Sequence, residues 1–142
     1  MKQSVDTMNQ VTHINIDADI AVLITDAKPI LLTLGFIEPQ ISMVISAASE
    51  LATNILKYGG RGRITIKQLE DQAGVRLIAE DNGPGIADIE RAMSKGFSSS
   101  GTLGFGLPGV KLMSDEFHIE SSPDDGTTVK STILKWSTNA GR

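Results

Sequence analysis

From residue 41 to residue 58 the chain reads ISMVISAASELATNILKY, and Ile41, Val44, Ile45, Ala48, Leu51, Ala52 and Ile55 recur at the i, i+3, i+4, i+7 spacing of one helix face. That stripe commits the segment to an amphipathic helix lying on an apolar layer. The back of the helix is the stronger constraint. At about 100° per residue, Glu50, Asn54 and Lys57 stack opposite the stripe, among Ser46, Ala47 and Thr53. A solvated helix back is normally dense with Lys and Glu, yet from residue 40 to residue 56 the single charge is Glu50. This face is built to be approached rather than merely wetted.

The flanking sequence says what the helix lies on. Residues 1–10 are polar and expected to fray. Val11, His13 and Asn15 then alternate with Thr12, Ile14 and Ile16 as a short strand. It ends at Asp17, which can cap a helix whose apolar positions Ile20, Leu23, Ile24, Ala27, Leu31 and Leu34 hold register past Pro29. Pro29 removes one rung of that helix and is expected to kink it, and Gly35 closes it. Pro39 suits the first turn of the central helix, and Gly59-Gly60 stops it. Residues 63–69 and 74–81 alternate as a hairpin. A weak helix over 86–94, a glycine and serine loop over 96–104, and a helix over 105–113 with Pro108 in its first turn come next. Residues 116–120 and 127–134 form a last hairpin, and the tail from residue 137 is expected to be disordered. Hairpins in place of strand–helix–strand crossovers point to an α+β fold, a two-layer sandwich with a mostly antiparallel sheet and helices on one face.

A chain of 142 residues with no repeat and no linker is expected to form a single domain, 1–142, with its core over about 11–135, large enough to bury a core without disulfides or metals. The lack of cysteine fits a reducing cytoplasm. A net charge of −4 with mixed signs leaves no footprint for nucleic acid. No apolar run approaches the ~20 residues of a membrane span, and the N-terminus lacks a signal peptide. The expectation is a soluble cytoplasmic protein without nucleic-acid or membrane partners.

Three constellations could carry chemistry. Glu50 and Asn54, four apart on a helix, point the same way, one a proton acceptor and the other a neutral oxygen ligand for a hard cation. Taken alone, such a pair is usually an exposed helix surface. Asp81-Asn-Gly-Pro-Gly85 follows a strand whose alternation puts Asp81 on the side of Val75, Leu77 and Ala79. Its carboxylate therefore needs a donor within the apolar layer, which the exocyclic amine of a bound base would supply. Gly83 and Gly85 allow the backbone to pass close to a flat ligand, although the same five residues are also good turn chemistry. Finally, GFSSSGTLGFGLPG runs into a helix, and Gly101, Gly104 and Gly106 beside a helix N-terminus suit phosphate. It lacks the GxxxxGK[ST] pattern of a Walker loop.

Taken in order, ELATN, DNGPG, GTLGFGLPG and GTTV resemble the four boxes of the GHKL ATPase and kinase superfamily, whose members bind ATP in a Bergerat fold. The resemblance covers about residues 11–135, and SELATNILKY with GFGLPGVKLMSDEF is similar to the small serine/threonine kinases of the anti-sigma regulatory group, the RsbT-type switch kinases of the bacterial stressosome above all. It implies that Glu50 is the general base and that Asn54 ligates the Mg²⁺ bridging the phosphates. It implies too that Asp81 takes the adenine amino group, with Gly83 and Gly85 beneath the ring and the Thr127 hydroxyl nearby. Gly104, Phe105, Gly106 and Leu107 match the segment that gives backbone N–H groups to the phosphates.

The implied activity is ATP-dependent phosphorylation of a serine or threonine on a STAS-domain scaffold or antagonist protein, followed, after release, by binding and activation of a PPM-type phosphatase. A nucleotide-dependent binding module that switches a partner without chemistry is the alternative, and the carboxylate at Glu50 favours the enzyme, since binding alone needs no base there. Thr102 stands where close relatives often have glycine, which implies a stiffer loop. No arginine lies between Arg91 and Arg142, which leaves Lys57, Lys95 or Lys111 as a cationic aid to transfer. His13 and His118 fall in expected strands, where a structural role outweighs catalysis.

Overall fold

The computed structural model describes residues 8–85, 93 and 106–137. In chain order the elements are β1 (Asn9–Ile14), α1 (Ala18–Thr33), α2 (Gln40–Asn54), a π-helical turn (Ile55–Gly59), β2 (Gly62–Gln68), β3 (Gly74–Asp81), α3 (Gly106–Met113), β4 (Glu116–Ser122) and β5 (Gly126–Leu134). The strands form one five-stranded sheet in the order β1-β2-β3-β5-β4, every neighbour antiparallel. This is the expected α+β arrangement. The weak helix over 86–94, apart from Met93, and the loop over 96–104 lie outside the described residues, as does the tail beyond residue 137.

Alternation sorts the sheet into two faces. Val75, Leu77, Ala79 and Asp81 of β3 are buried, while Arg76, Ile78 and Glu80 between them are half-buried. Register then carries the buried face across the sheet, because Ile64 opposes Ala79, Ile66 opposes Leu77, Ala79 opposes Val129 and Val75 opposes Ile133. These residues join Leu23, Ala27 and Leu31 of α1 and Val44, Ala48, Leu51 and Ala52 of α2 in one apolar cluster. Helix α2 packs against both α1 and α3. Being flanked on two sides, it buries a wider arc than its sequence stripe, and Ala47, expected on the open back, is fully buried.

Two local expectations change. Strand β1 begins two residues earlier than its alternation suggests and stops before Ile16, which is exposed. Asp17 does not cap α1. It already has helical angles, φ −54° and ψ −36°, whereas a side-chain cap needs an extended residue there. The Asp19 carboxylate instead accepts the N–H groups of Asn15 and Ile16 at 2.8 and 3.0 Å, and those two donations hold its pKa below the usual carboxylate range. Pro29 lies inside α1 and does not end it. At the start of α2, the buried Gln40 amide donates to the Leu134 carbonyl at 2.8 Å and accepts the Trp136 N–H at 2.9 Å. The central helix is thus pinned to the far end of β5, which fixes where its other end meets the sheet.

Candidate active site

That other end meets the finishing end of β3 and the beginning of β5. Leu51, Asn54, Ile55 and Tyr58 from the helix, Ala79 and Asp81 from β3, Thr127 and Val129 from β5 and Leu107 from α3 line a crevice there. Its enclosed space is about 10 Å³, roughly one water's worth. Apolar walls supply contact area for a flat ring. Asp81, Thr127 and Asn54 supply the polar groups that would fix its orientation.

Asp81 is buried, at 7 % exposure, as alternation requires. Its Oδ1 accepts the Gly83 N–H at 2.9 Å, so the turn chemistry read from Asp-Asn-Gly is realised. Glycines crowd Asp81, at its carboxylate and at its backbone. A Cβ on Gly59 would stand 2.2 Å from Asp81 Cγ, and one on Gly126, where φ is +76°, would stand 2.0 Å from the Asp81 carbonyl oxygen. The sequence marked Gly59 only as a helix stop; its second duty follows from the π turn, which folds residues 55–59 down onto β3. Gly59→Ala is expected to destabilise the chain by about 1–3 kcal/mol in chemical denaturation, the usual cost of overpacking. An unchanged midpoint would mean that the π turn yields freely.

Glu50 and Asn54 both come from α2, one helical turn apart, and both are half-buried. Glu50 Oε1 accepts the N–H of Gly106 at 3.2 Å, the residue that opens α3 with φ +63°. An acidic group thus occupies an N–H at the start of a helix, where free amides and the helix dipole favour negative charge. Asn54 lines the crevice, and its Nδ2 is buried with no hydrogen-bond partner. Leu107 turns its side chain into the crevice wall and is buried, while Gly104 and Phe105 lie outside the described residues.

Lys57 departs from expectation. Alpha-helical register ends at Asn54, and Lys57 lies in the wider π turn, past the point where the 100° count holds. Its ammonium lies 5.0 Å from the centroid of the Tyr58 ring. Lys111 is exposed on α3, and Lys95 lies outside the described residues. His13 and His118 are both on strands, and His118 meets Glu120 at 3.0 Å on the exposed face of β4. A larger and more open cleft, about 500 Å³, lies beyond Gly59 and Gly62, where Arg63 pairs with Glu80 at 3.0 Å. Neither Glu50 nor Asn54 reaches it.

The geometry can be set beside known proteins. Residues 40–136 match the model of the histidine kinase-, DNA gyrase B-, and HSP90-like ATPase family. The chain is 48% identical over 105 residues to the serine/threonine-protein kinase RsbT of Bacillus subtilis (strain 168), a match covering 72% of this chain and 77% of that one. It is 33% identical over 99 residues to the anti-sigma F factor of Thermoanaerobacter sp. (strain X514), covering 66% and 69%. Among solved structures, that of the RsbU and RsbW domains of Rv1364c from Mycobacterium tuberculosis matches with a TM-score of 0.64 over 92% of this chain. At 17% identity that likeness is one of fold, and this chain spans about a third (33%) of the longer one.

Proposed function

This chain belongs to the histidine kinase-, DNA gyrase B-, and HSP90-like ATPase family and is an RsbT-like serine/threonine protein kinase that binds ATP, and from that premise we propose that it phosphorylates STAS-domain scaffold or antagonist proteins in a cytoplasmic, stressosome-type partner-switching pathway. Once released from them, it binds and activates a PPM-type phosphatase. Support comes from the resemblance of its motifs to the switch kinases and from the likeness to both a kinase and an anti-sigma factor. No helix of the described residues is long and apolar enough to cross a membrane.

In this reading the crevice takes adenine. Asp81 Oδ2 accepts the exocyclic amine, Gly83 and Gly85 let the backbone lie against the ring, and Thr127 adds a hydroxyl. The N–H groups of Gly104, Phe105, Gly106 and Leu107 receive the phosphates. The residues present fit Mg²⁺. No cluster of three or more His, Cys, Asp or Glu suited to a metal occurs among the described residues, so a protein cage is not on offer, and Mg²⁺ ordinarily keeps waters and phosphates as most of its ligands. The partnerless Asn54 Nδ2 marks an amide whose orientation the protein does not fix, and the opposite orientation turns its oxygen inward. Bound there, the ion would neutralise charge on the phosphates.

Glu50 then has one task. The acceptor hydroxyl forms an O–P bond to the γ-phosphorus, the bond to the β,γ-bridging oxygen breaks, ADP leaves, and the hydroxyl proton passes to the Glu50 carboxylate. The observation that carries the reading is that Asn54 lines the crevice floored by Asp81 and Thr127 while Glu50, one turn earlier on the same helix, accepts the first N–H of α3. The anti-sigma likeness favours a second reading, a switch that holds its partner without chemistry. Incubating the protein with labelled ATP, Mg²⁺ and a panel of STAS-domain proteins, then mapping the modified residue, tests the proposal. Label on one serine or threonine of a STAS domain is expected; labelled histidine, or no acceptor in the panel, would overturn the assignment of substrate.

A further inference from the structure

Strand β4 carries none of the motif residues, yet its end pairs with the start of β5 at the site. Across the sheet Gly62 opposes Asp81, Asp81 opposes Thr127, and Thr127 opposes Ser121. Partners across a sheet share a face, so Ser121 stands in the same row as the two polar groups of the crevice floor. Its hydroxyl is 2.7 Å from that of Thr127, which is itself buried at 5 % exposure. Ser121 also lies close to the second glycine of the DNGPG turn, because a Cβ on Gly85 would come within 3.1 Å of Ser121 Oγ.

We propose that Ser121 is a positioning residue for base recognition, holding the Thr127 hydroxyl so that its hydrogen points into the crevice. The inference rests on the nucleotide reading above. A hydroxyl has one hydrogen and two lone pairs. When Ser121 donates to Thr127, the Thr127 hydrogen is released toward the ligand and Thr127 acts as a donor. When the bond runs the other way, Thr127 offers lone pairs alone. The adenine edge presents an amine donor beside a ring-nitrogen acceptor, which complements an acceptor at Asp81 beside a donor at Thr127. Hypoxanthine presents the reverse, a carbonyl acceptor beside a ring N–H donor. Ser121 donation therefore selects adenine against its deaminated analogue, and losing it lets Thr127 turn its lone pairs toward the ring N–H.

The test is titration of ATP and inosine triphosphate into wild type, Ser121→Ala, Thr127→Val and the double variant, each first checked for a cooperative thermal transition. Wild type is expected to prefer ATP. Ser121→Ala should lose about 3- to 10-fold in ATP affinity, the scale of one neutral hydrogen bond, while inosine triphosphate affinity holds or rises. In the Thr127→Val background the same change should have no further effect, since the two act as one unit. Equal losses for both nucleotides, or a Ser121→Ala effect that survives in Thr127→Val, would make Ser121 a packing residue and overturn the proposal. Wild type that binds ATP with no preference would overturn it while leaving the nucleotide site intact; wild type that binds neither would remove that reading as well.

Discussion

Glu50→Gln is expected to separate binding from chemistry, with ATP affinity held or improved while phosphotransfer falls by roughly 10²-fold or more, the usual contribution of a general base. The geometry makes the first half specific. Glu50 Oε1 holds the Gly106 N–H at 3.2 Å, one of the amides proposed to receive phosphate. Nucleotide must take that amide from a carboxylate, and the displaced carboxylate is the group needed next to receive the proton. A charge-assisted hydrogen bond is roughly twice as strong as a neutral one, so a glutamine at this position gives up the amide more readily and also removes repulsion from the triphosphate. It cannot take the proton. Nucleotide titration beside single-turnover transfer reads both halves, and transfer at the wild-type rate would remove Glu50 from the base role.

Asn54→Ala is expected to abolish transfer and to weaken ATP binding by roughly 10-fold or more when Mg²⁺ is present, because the phosphates lose the fixed counter-charge that both binding and transfer use. The contrast with metal-free conditions is the informative part. With Mg²⁺ chelated, wild type and Asn54→Ala should bind ATP alike, since the amide oxygen then has no ion to hold. Removing Asn54 Nδ2, buried without a partner, also removes an unsatisfied polar group, so fold stability should not fall by more than the lost packing. Calorimetric titrations with and without chelator decide this, and equal weakening in both would make Asn54 a structural part of the crevice wall.

How much of this was legible follows from which interactions are periodic. The α2 stripe and the β3 alternation are local patterns, and they correctly placed Leu51 and Ala52 in the core and Asp81 on the buried side of the sheet. Asn54 and Glu50 came out on one helix edge for the same reason. Patterns of that kind cannot report where register changes. The π turn at Ile55–Gly59 breaks the 100° count on which Lys57 stacks with Glu50 and Asn54, and the Lys57 ammonium lies over the Tyr58 ring. Nor can they see lateral neighbours. Ala47 belongs to the open back of α2 by periodicity and is buried because α3 packs beside α2, and Gly59, a helix stop by composition, has no room for a side chain against Asp81. The Asp19 carboxylate reaching back to Asn15 and Ile16 displaced the expected Asp17 cap, a choice between neighbouring acids that spacing alone does not make. Ser121 depends on the pairing of β4 with β5, which no single strand encodes.

The most direct test of the whole account is to load wild-type protein with γ-labelled ATP and Mg²⁺, remove the excess, add the proposed STAS-domain partner and follow the label in one turnover. The account predicts that label leaves the nucleotide and appears on a single serine or threonine of the partner, leaving ADP behind. A partner that binds while all label stays on ATP would contradict it and make the chain a nucleotide-dependent switch without chemistry.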